Sequence, residues 1–335
     1  MGADHTKTKK RIKWIDLAKG ICIALVALSH IAEFLSTDYP LAVQAKSFRM
    51  PLYFILSGLF FKEYDGFIGF LKRKTNKLLI PFVFFMLVTG FLPYFIQYKE
   101  FYKPISLFLN KGIIVMNEPI WFLMCLFEVN LLFYGIQWIA SKISPPKKLY
   151  IVIGVSLFLG IIGLILGARN IDLLFYVDTT LTSLPLFAFG WWLFRHSNFI
   201  KSPVNWIRDI ATILACASIV YCFAEPVVWF SNAMPANKLW SVYLCGISGT
   251  IMVLLLSKIL RYVPLISYWG RYSIIVLCTH CPVMTVTAAL LYRFEGGMTK
   301  LLLVFAITMI ACTFLVYFLK KFMPHVTAQK DLIKV

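Results

Sequence analysis

His30 stands in a stretch of sequence where an ionisable side chain is out of place. From Trp14 to Leu35 the chain reads W-I-D-L-A-K-G-I-C-I-A-L-V-A-L-S-H-I-A-E-F-L, which is long and apolar enough to cross a bilayer as a helix. Inside it lie Lys19, His30 and Glu33. At about 100° per residue, the step from Lys19 to His30 is three helical turns with only ~20° left over. The two side chains therefore share one helix face, roughly 16 Å apart along the axis, with Glu33 one turn beyond. Polar groups at membrane depth are costly and normally mark a pathway or a reactive site. An imidazole titrates close to neutrality and can act as a general base or as a nucleophile. A carboxylate one turn away can hold it in one tautomer and stabilise its protonated form. The bland alternative is a histidine that hydrogen-bonds a neighbouring helix and does nothing else.

The elements that must position this stripe are membrane helices. Of the 335 residues 60% are hydrophobic and only 14% charged, against about 45–50% apolar and about 25% charged in a soluble domain. This excludes a soluble enzyme and predicts an all-α integral membrane protein with a single polytopic domain over residues 1–335. Ten spans are expected, at 15–35, 43–62, 79–97, 120–140, 149–168, 178–194, 206–224, 239–259, 272–292 and 301–320. The second is the weakest, its dense apolar run covering only Met50 to Phe61; it reads as short, tilted or re-entrant. Residues 1–13 and 321–335 are expected as tails. The first span lacks a small-residue cleavage site and is expected to remain in place. Met1-Gly2 with Thr6 fits a myristoylation pattern, a match better explained by chance in a multi-pass protein.

A net charge of +18 could suggest nucleic acid, but the basic residues collect in short segments between the expected spans. With those boundaries 23 of the 33 Lys and Arg fall on the N-terminal side and 9 on the other. That asymmetry predicts both termini in the cytoplasm. The eight cysteines lie in or beside apolar segments and read as small hydrophobes, not as a disulfide framework. Gly163-x-x-x-Gly167 reads as close helix packing.

Several segments, in order, resemble one family. W-I-D-L-A-K-G-I-C-I-A-L-V-A-L-S-H is similar to the opening helix of the membrane-bound acyltransferase-3 family, whose members carry a basic residue, ten intervening residues and a histidine. Lys19 and His30 occupy those places, with Lys where Arg is commoner. F-R-M-P-L-Y-F-I-L-S-G-L-F-F (48–61), K-R-K-T-N-K followed by L-L-I-P (72–81), N-E-P-I-W-F-L (117–123) and Y-W-G-R-Y-S-I-I-V-L-C-T-H (268–280) resemble further family landmarks. The D-L-A-K-G-I opening is most similar to the fucose-4-O-acetylase-like branch. The resemblance implies transfer of an acyl group, most simply acetyl, from cytoplasmic acyl-CoA to a glycan or lipid-linked sugar hydroxyl at the outer face. It also implies a multi-pass protein of a bacterial inner membrane that acts on the cell envelope.

Under that reading His30 is a base or a transient acyl carrier, and Glu33 its orienting carboxylate. Lys19 and the cluster Lys72, Arg73, Lys74 and Lys77 are candidates for the phosphates of the donor, since cations suit a polyanionic thioester. Positive-inside topology by itself also predicts that cluster. Asp16 either pairs with Lys19 or starts the helix. Arg49 could bind sugar oxygens or a developing oxyanion, or anchor to lipid headgroups. Glu118 and Trp121 could face the acceptor, the indole stacking on a sugar, though interfacial Trp is ordinary in membranes. His280, inside Cys278-Thr279-His280-Cys281, reads as a core or pore-lining histidine. No metal is expected, because further ligands are missing and apolar surroundings disfavour thiolates. The partners expected are acyl-CoA, the sugar acceptor and membrane lipid, with no permanently bound cofactor and a homo-oligomer left open. The rival reading is a transporter or flippase for a lipid-linked sugar or small polar solute using the same polar stripe. It has no repeated pair of broken helices behind it.

The charge pattern makes a direct prediction. Single cysteines placed at Lys72, Lys147 and Lys330 in a background without native cysteines should resist an impermeant reagent added to intact cells. Those at Lys103, Asn170 and Lys238 should react. Labelling at position 72 from outside would invert the topology.

Overall fold

The computed structural model describes residues 11–64, 66–294 and 296–334. Most of the tail expected at 1–13, with Met1, Gly2 and Thr6, lies outside them. The described residues form fourteen helices. They are α1 Lys13–Phe34, α2 Ala42–Leu59, α3 Gly66–Lys74, α4 Ile80–Phe85, α5 Leu92–Tyr98, α6 Tyr102–Lys111, α7 Trp121–Ile143, α8 Lys148–Ala168, α9 Val177–Arg195, α10 Trp206–Phe223, α11 Leu239–Leu260, α12 Pro264–Arg271, α13 Ser273–Leu290 and α14 Met298–Phe322. Apart from one isolated bridge, Val228 to Ala233, no β pairing is present among the described residues. Every backbone polar group at membrane depth must be satisfied inside its own segment, and helices do this in hydrocarbon.

Among the described residues eight helical stretches are long and apolar enough to cross a membrane: Lys13–Phe34, Gly66–Tyr98, Glu118–Ile143, Pro145–Ala168, Trp206–Phe223, Leu239–Leu260, Ser273–Leu290 and Met298–Phe322. The protein is thus an all-helical, multi-pass membrane protein. The two other expected spans, 43–62 and 178–194, coincide with α2 and α9, which fall outside that set. Their place in the bundle gives the reason. Twelve of the 18 residues of α2 and thirteen of the 19 of α9 are buried, against three of 18 in α10. A helix walled in by other helices has little contact with lipid, so it can carry Thr179, Thr180, Thr182 and Ser183 without meeting hydrocarbon.

Glycines bring the central helices together. A Cβ on Gly58 would lie 2.0 Å from the Phe187 carbonyl oxygen, and one on Gly190 2.0 Å from that of Ile55, so α2 and α9 touch backbone to backbone. In the same way a Cβ on Gly20 would meet the Ile266 oxygen at 1.9 Å and one on Gly270 the Asp16 oxygen at 1.8 Å, which lays α12 flush on α1. Gly163 and Gly167 press on Thr182 and Asn232, the close packing expected of that pair. Around α1 stand α2, α11, α12, α13 and α14. The stripe of Lys19 and His30 is therefore enclosed by protein.

The third pass is irregular. Between α3 and α4 the chain forms a π-helix, Thr75–Leu79, and between α4 and α5 another, Met86–Phe91. Single π turns inside helices frequently mark functional sites. The stretch 97–119, expected as a loop, contains α6, whose Phe108 packs on Phe82 and Phe175 at 6.0 and 5.8 Å between ring centroids.

The close approach of α12 to α1 leaves no room for a side chain. Gly270→Val should lower the thermal midpoint of the purified protein by an amount equivalent to about 1–3 kcal/mol or more of overpacking. Gly154→Ala is the control, because nothing lies within 4 Å of a Cβ there. Equal midpoints for the two variants would contradict the packing described.

Candidate active site

Two polar centres lie on α1, one near each end of the helix. At the far end His30 faces three elements. Its Nδ1 is 3.6 Å from Glu33 Oε2, and the other oxygen of Glu33 receives Lys46 Nζ of α2 at 2.6 Å. Glu33 thus ties the two helices and aims the imidazole. The ring of His280, from α13, stands 5.5 Å away between centroids at 43°. Arg49, one turn along α2 from Lys46, acts electrostatically on His30, Glu33 and His280. Its Nε and Nη1 are buried and find no hydrogen-bond partner among the described residues. An unpaired buried guanidinium is costly, and its planar fork of donors matches oxygen-rich or anionic groups. The backbone behind it is fixed, since Cys22 Sγ donates to the Arg49 carbonyl at 2.9 Å.

His280 is held by its own helix, and that helix is braced from outside at a proline. Pro282 lies inside α13 and has no N–H to donate to the carbonyl four residues earlier, that of Cys278. Asn117 fills the gap: its Nδ2 donates to the Cys278 oxygen at 2.8 Å and to Thr89 Oγ1 at 2.7 Å. Thr89 sits in the second π segment, so that irregular turn and the N-E-P stretch brace α13 together. His280 Nδ1 lies 3.0 Å from the Val276 carbonyl, which places the proton on Nδ1, with Nε2 3.6 Å from Cys281 Sγ.

At the other end of α1 a cavity of about 420 Å³ opens around Lys19. Six basic side chains line it, Arg11, Lys19, Arg73, Lys74, Lys77 and Arg271, against the two acids Asp16 and Asp331. Asp16 does not pair with Lys19. It accepts two bonds from Arg11, at 2.6 and 2.8 Å. Lys19 Nζ lies 4.7 Å from the Phe60 ring centroid and the Arg73 guanidinium 4.6 Å from that of Tyr64, so aromatic faces hold these cations beside the cavity. A smaller cavity of about 120 Å³ shares Lys19, Leu56, Ser57 and Ser273 with the first and continues to Tyr53, Phe122 and Leu277. Leu277 is one turn below His280. An apolar path therefore leads from the basic cavity towards the paired histidines.

The structure brings together most of the residues singled out in the sequence, in two groups. Lys19, Arg73, Lys74 and Lys77 meet at the basic cavity, while Lys72 is exposed on α3 and does not line it. His30, Glu33 and Arg49 meet at the far cluster. Glu118 is exposed and begins the short helical turn before α7, directly after the Asn117 that braces α13. Trp121 is placed otherwise than expected of an open stacking ring. It is only 5% exposed and sits among Phe122, Tyr176 and Phe230 at 6.1, 5.6 and 6.1 Å, a packing position. Sequence reasoning missed His280, Asn117, Thr89, Lys46, Arg11 and Arg271. For His280 a signal was present: a second histidine inside an apolar span, followed two residues later by proline.

The acyltransferase-3 model, described as an acyltransferase domain, matches residues 12–319. No curated protein and no solved structure matches the chain.

Asn117 is the brace that can be tested without an assay of function. Asn117→Leu leaves the Cys278 carbonyl buried and unpaired, a cost of about 1–3 kcal/mol. Its thermal midpoint in detergent should fall accordingly. A midpoint equal to that of the unaltered protein would remove Asn117 from this role.

Proposed function

Since the chain belongs to the acyltransferase-3 family, and is therefore a membrane acyltransferase, we propose that it moves an acetyl group from acetyl-CoA on the cytoplasmic side to a glycan or lipid-linked sugar hydroxyl on the other. The observation that carries this reading is the division of α1 between two polar centres, a cationic cavity at Lys19 and a histidine cluster at His30. The rise between them is roughly 16 Å. A coenzyme A donor has the matching form, with phosphates at one end, a flexible pantetheine arm, and the reactive thioester at the other. In this arrangement the phosphates lie against Lys19, Arg73, Lys74, Lys77 and Arg271, and the arm follows the apolar path past Tyr53 and Leu277.

His30 then acts as the base. With Nδ1 turned to Glu33, Nε2 is left to take the proton of the sugar hydroxyl as its oxygen attacks the thioester carbonyl carbon. The tetrahedral oxyanion is met by the unpaired N–H groups of Arg49. As the carbonyl reforms, the C–S bond breaks and the thiolate leaves, taking up the proton from His30. His280 presents a second ring to the same space and fixes the position of the first. The D-L-A-K-G-I opening supports assignment to the fucose-4-O-acetylase-like branch, the family resemblance supports a bacterial inner membrane, and the charge pattern supports placing His30 towards the outer face. Glu118, exposed in the short turn before α7, is the acceptor-side carboxylate.

His30→Ala should reduce acyl transfer by at least about 10²-fold while leaving the thermal midpoint unchanged. Near-normal turnover by that variant would exclude His30 as the base. Lys19→Ala should raise the dissociation constant for coenzyme A and leave acceptor affinity little changed; an unaltered donor constant would return Lys19 to a structural role.

A further inference from the structure

The segment that follows α14 folds back onto the basic cavity, held by Asn76 and by its neighbour Lys77, which lines the cavity wall. Asn76 is fully buried in the first π segment. Its Nδ2 donates to the Ile333 carbonyl at 2.8 Å, and its Oδ1 accepts from the amides of Leu332 and Ile333 at 2.9 Å each. Lys77, the next residue, donates to the Ala328 carbonyl at 2.9 Å and pairs with Asp331 at 3.0 Å. The segment has a shape of its own, since the amides of Gln329 and Lys330 both turn onto the Pro324 carbonyl and His325 Nδ1 reaches the Asp331 carbonyl at 3.1 Å. Between the end of α14 and the grip of Asn76 the chain is an arch, and its residues Ala328, Gln329 and Asp331 line the cavity.

This arch changes the charge that the cavity presents. Two of the six cations are already answered by carboxylates, Arg11 by Asp16 and Lys77 by Asp331. Lys19, Arg73, Lys74 and Arg271 have no carboxylate partner among the described residues. The two neutralised cations differ in kind. Asp16 stands on α1 and is fixed there, whereas Asp331 belongs to the arch. The Lys77–Asp331 pair is part-exposed, 45% and 36% for the two side chains, and such pairs are weak. A phosphate offers more charge and more acceptor oxygens than a single carboxylate.

We infer that residues 324–331 form an internal cap on the donor cavity, in which the carboxylate of Asp331 holds on Lys77 the place that a phosphate of the donor takes. Docking of the arch and binding of the donor therefore compete for Lys77. This inference rests on the reading of the cavity as the coenzyme A site. The neutral, buried grip of Asn76 on residues 332 and 333 is untouched by the exchange, so the arch is displaced without the chain being released. No covalent step is involved; one ion pair is exchanged for another.

Coenzyme A itself is the probe, titrated calorimetrically into the purified full chain in detergent. Asp331→Asn keeps an acceptor oxygen for Lys77 and removes the charge, and its thermal midpoint should match that of the unaltered protein. It should bind coenzyme A about two- to fivefold more tightly at low salt, the range that a part-exposed ion pair spans. The difference should shrink as salt rises. In the unaltered protein, saturating coenzyme A should speed amide exchange in residues 325–331 and leave residues 332–333 protected. Equal affinity of the two proteins, or slower exchange in the arch on binding, would overturn the cap. Weaker binding by Asp331→Asn would do so as well, by making Asp331 part of the binding surface. If the unaltered protein binds no coenzyme A, the donor reading fails and the cap fails with it; if it binds while Asp331→Asn is indifferent, only the cap fails.

Discussion

The contact on which the rest depends is the backbone-to-backbone seating of α12 on α1 through Gly20 and Gly270. Each glycine faces a carbonyl oxygen of the other helix at a distance no Cβ could tolerate. That seating has consequences at both ends of α1. It brings Arg271, Tyr272 and Ser273 beside Lys19, completing the basic cavity. It also sets the start of α13, so that seven residues later His280 reaches the level of His30. Without the approach of these two helices, Lys19 and His30 would be two polar side chains on one face with nothing opposite them.

A polar centre inside an apolar bundle is costly unless each group is partnered or awaits a partner. Most groups of the far cluster are answered internally: Glu33 by Lys46, His280 by the Val276 carbonyl, Asn117 by Thr89 and the Cys278 carbonyl. Two groups are left over among the described residues: the Oδ1 of Asn117, and the buried Nε and Nη1 of Arg49. Of these only Arg49 carries a charge, and it lies on α2 near the two histidines. The same accounting explains why the third pass departs from α geometry. Its two π turns present Asn76 with Lys77 to one centre and Thr89 to the other, so one irregular helix serves both.

The cavity at Lys19 and the cluster at His30 are separate sites, and a smaller, mostly apolar cavity extends from the first as far as Leu277, one turn short of His280. Such an arrangement suits a long, flexible ligand with charge at one end. The arch over the basic cavity adds a protein carboxylate at the cavity wall, where the ligand's charge would lie.

Much of this was legible in the sequence. Composition alone fixed the protein in the membrane, because no soluble fold could bury so large an apolar fraction. The helical repeat placed Lys19 and His30 on one face, a property of a single helix that needs no knowledge of its neighbours. Glu33 was legible for the same reason. Hydropathy was less informative for α2 and α9, since it measures contact with lipid, and those helices are shielded by their neighbours. The roles of His280, Asn117 and Arg271 were decided only by tertiary structure. Each lies far from His30 or Lys19 in sequence, and its partner is set by which helices touch. The setting of His280 suggested a core or pore-lining position; the ring is fully buried, and only the packing of α13 on α1 shows that it faces His30. The hold of Asn76 on residues 332 and 333 joins positions more than 250 apart. No local periodicity reports such a contact; it exists because the segment after α14 comes back to the end of the bundle where the third pass begins.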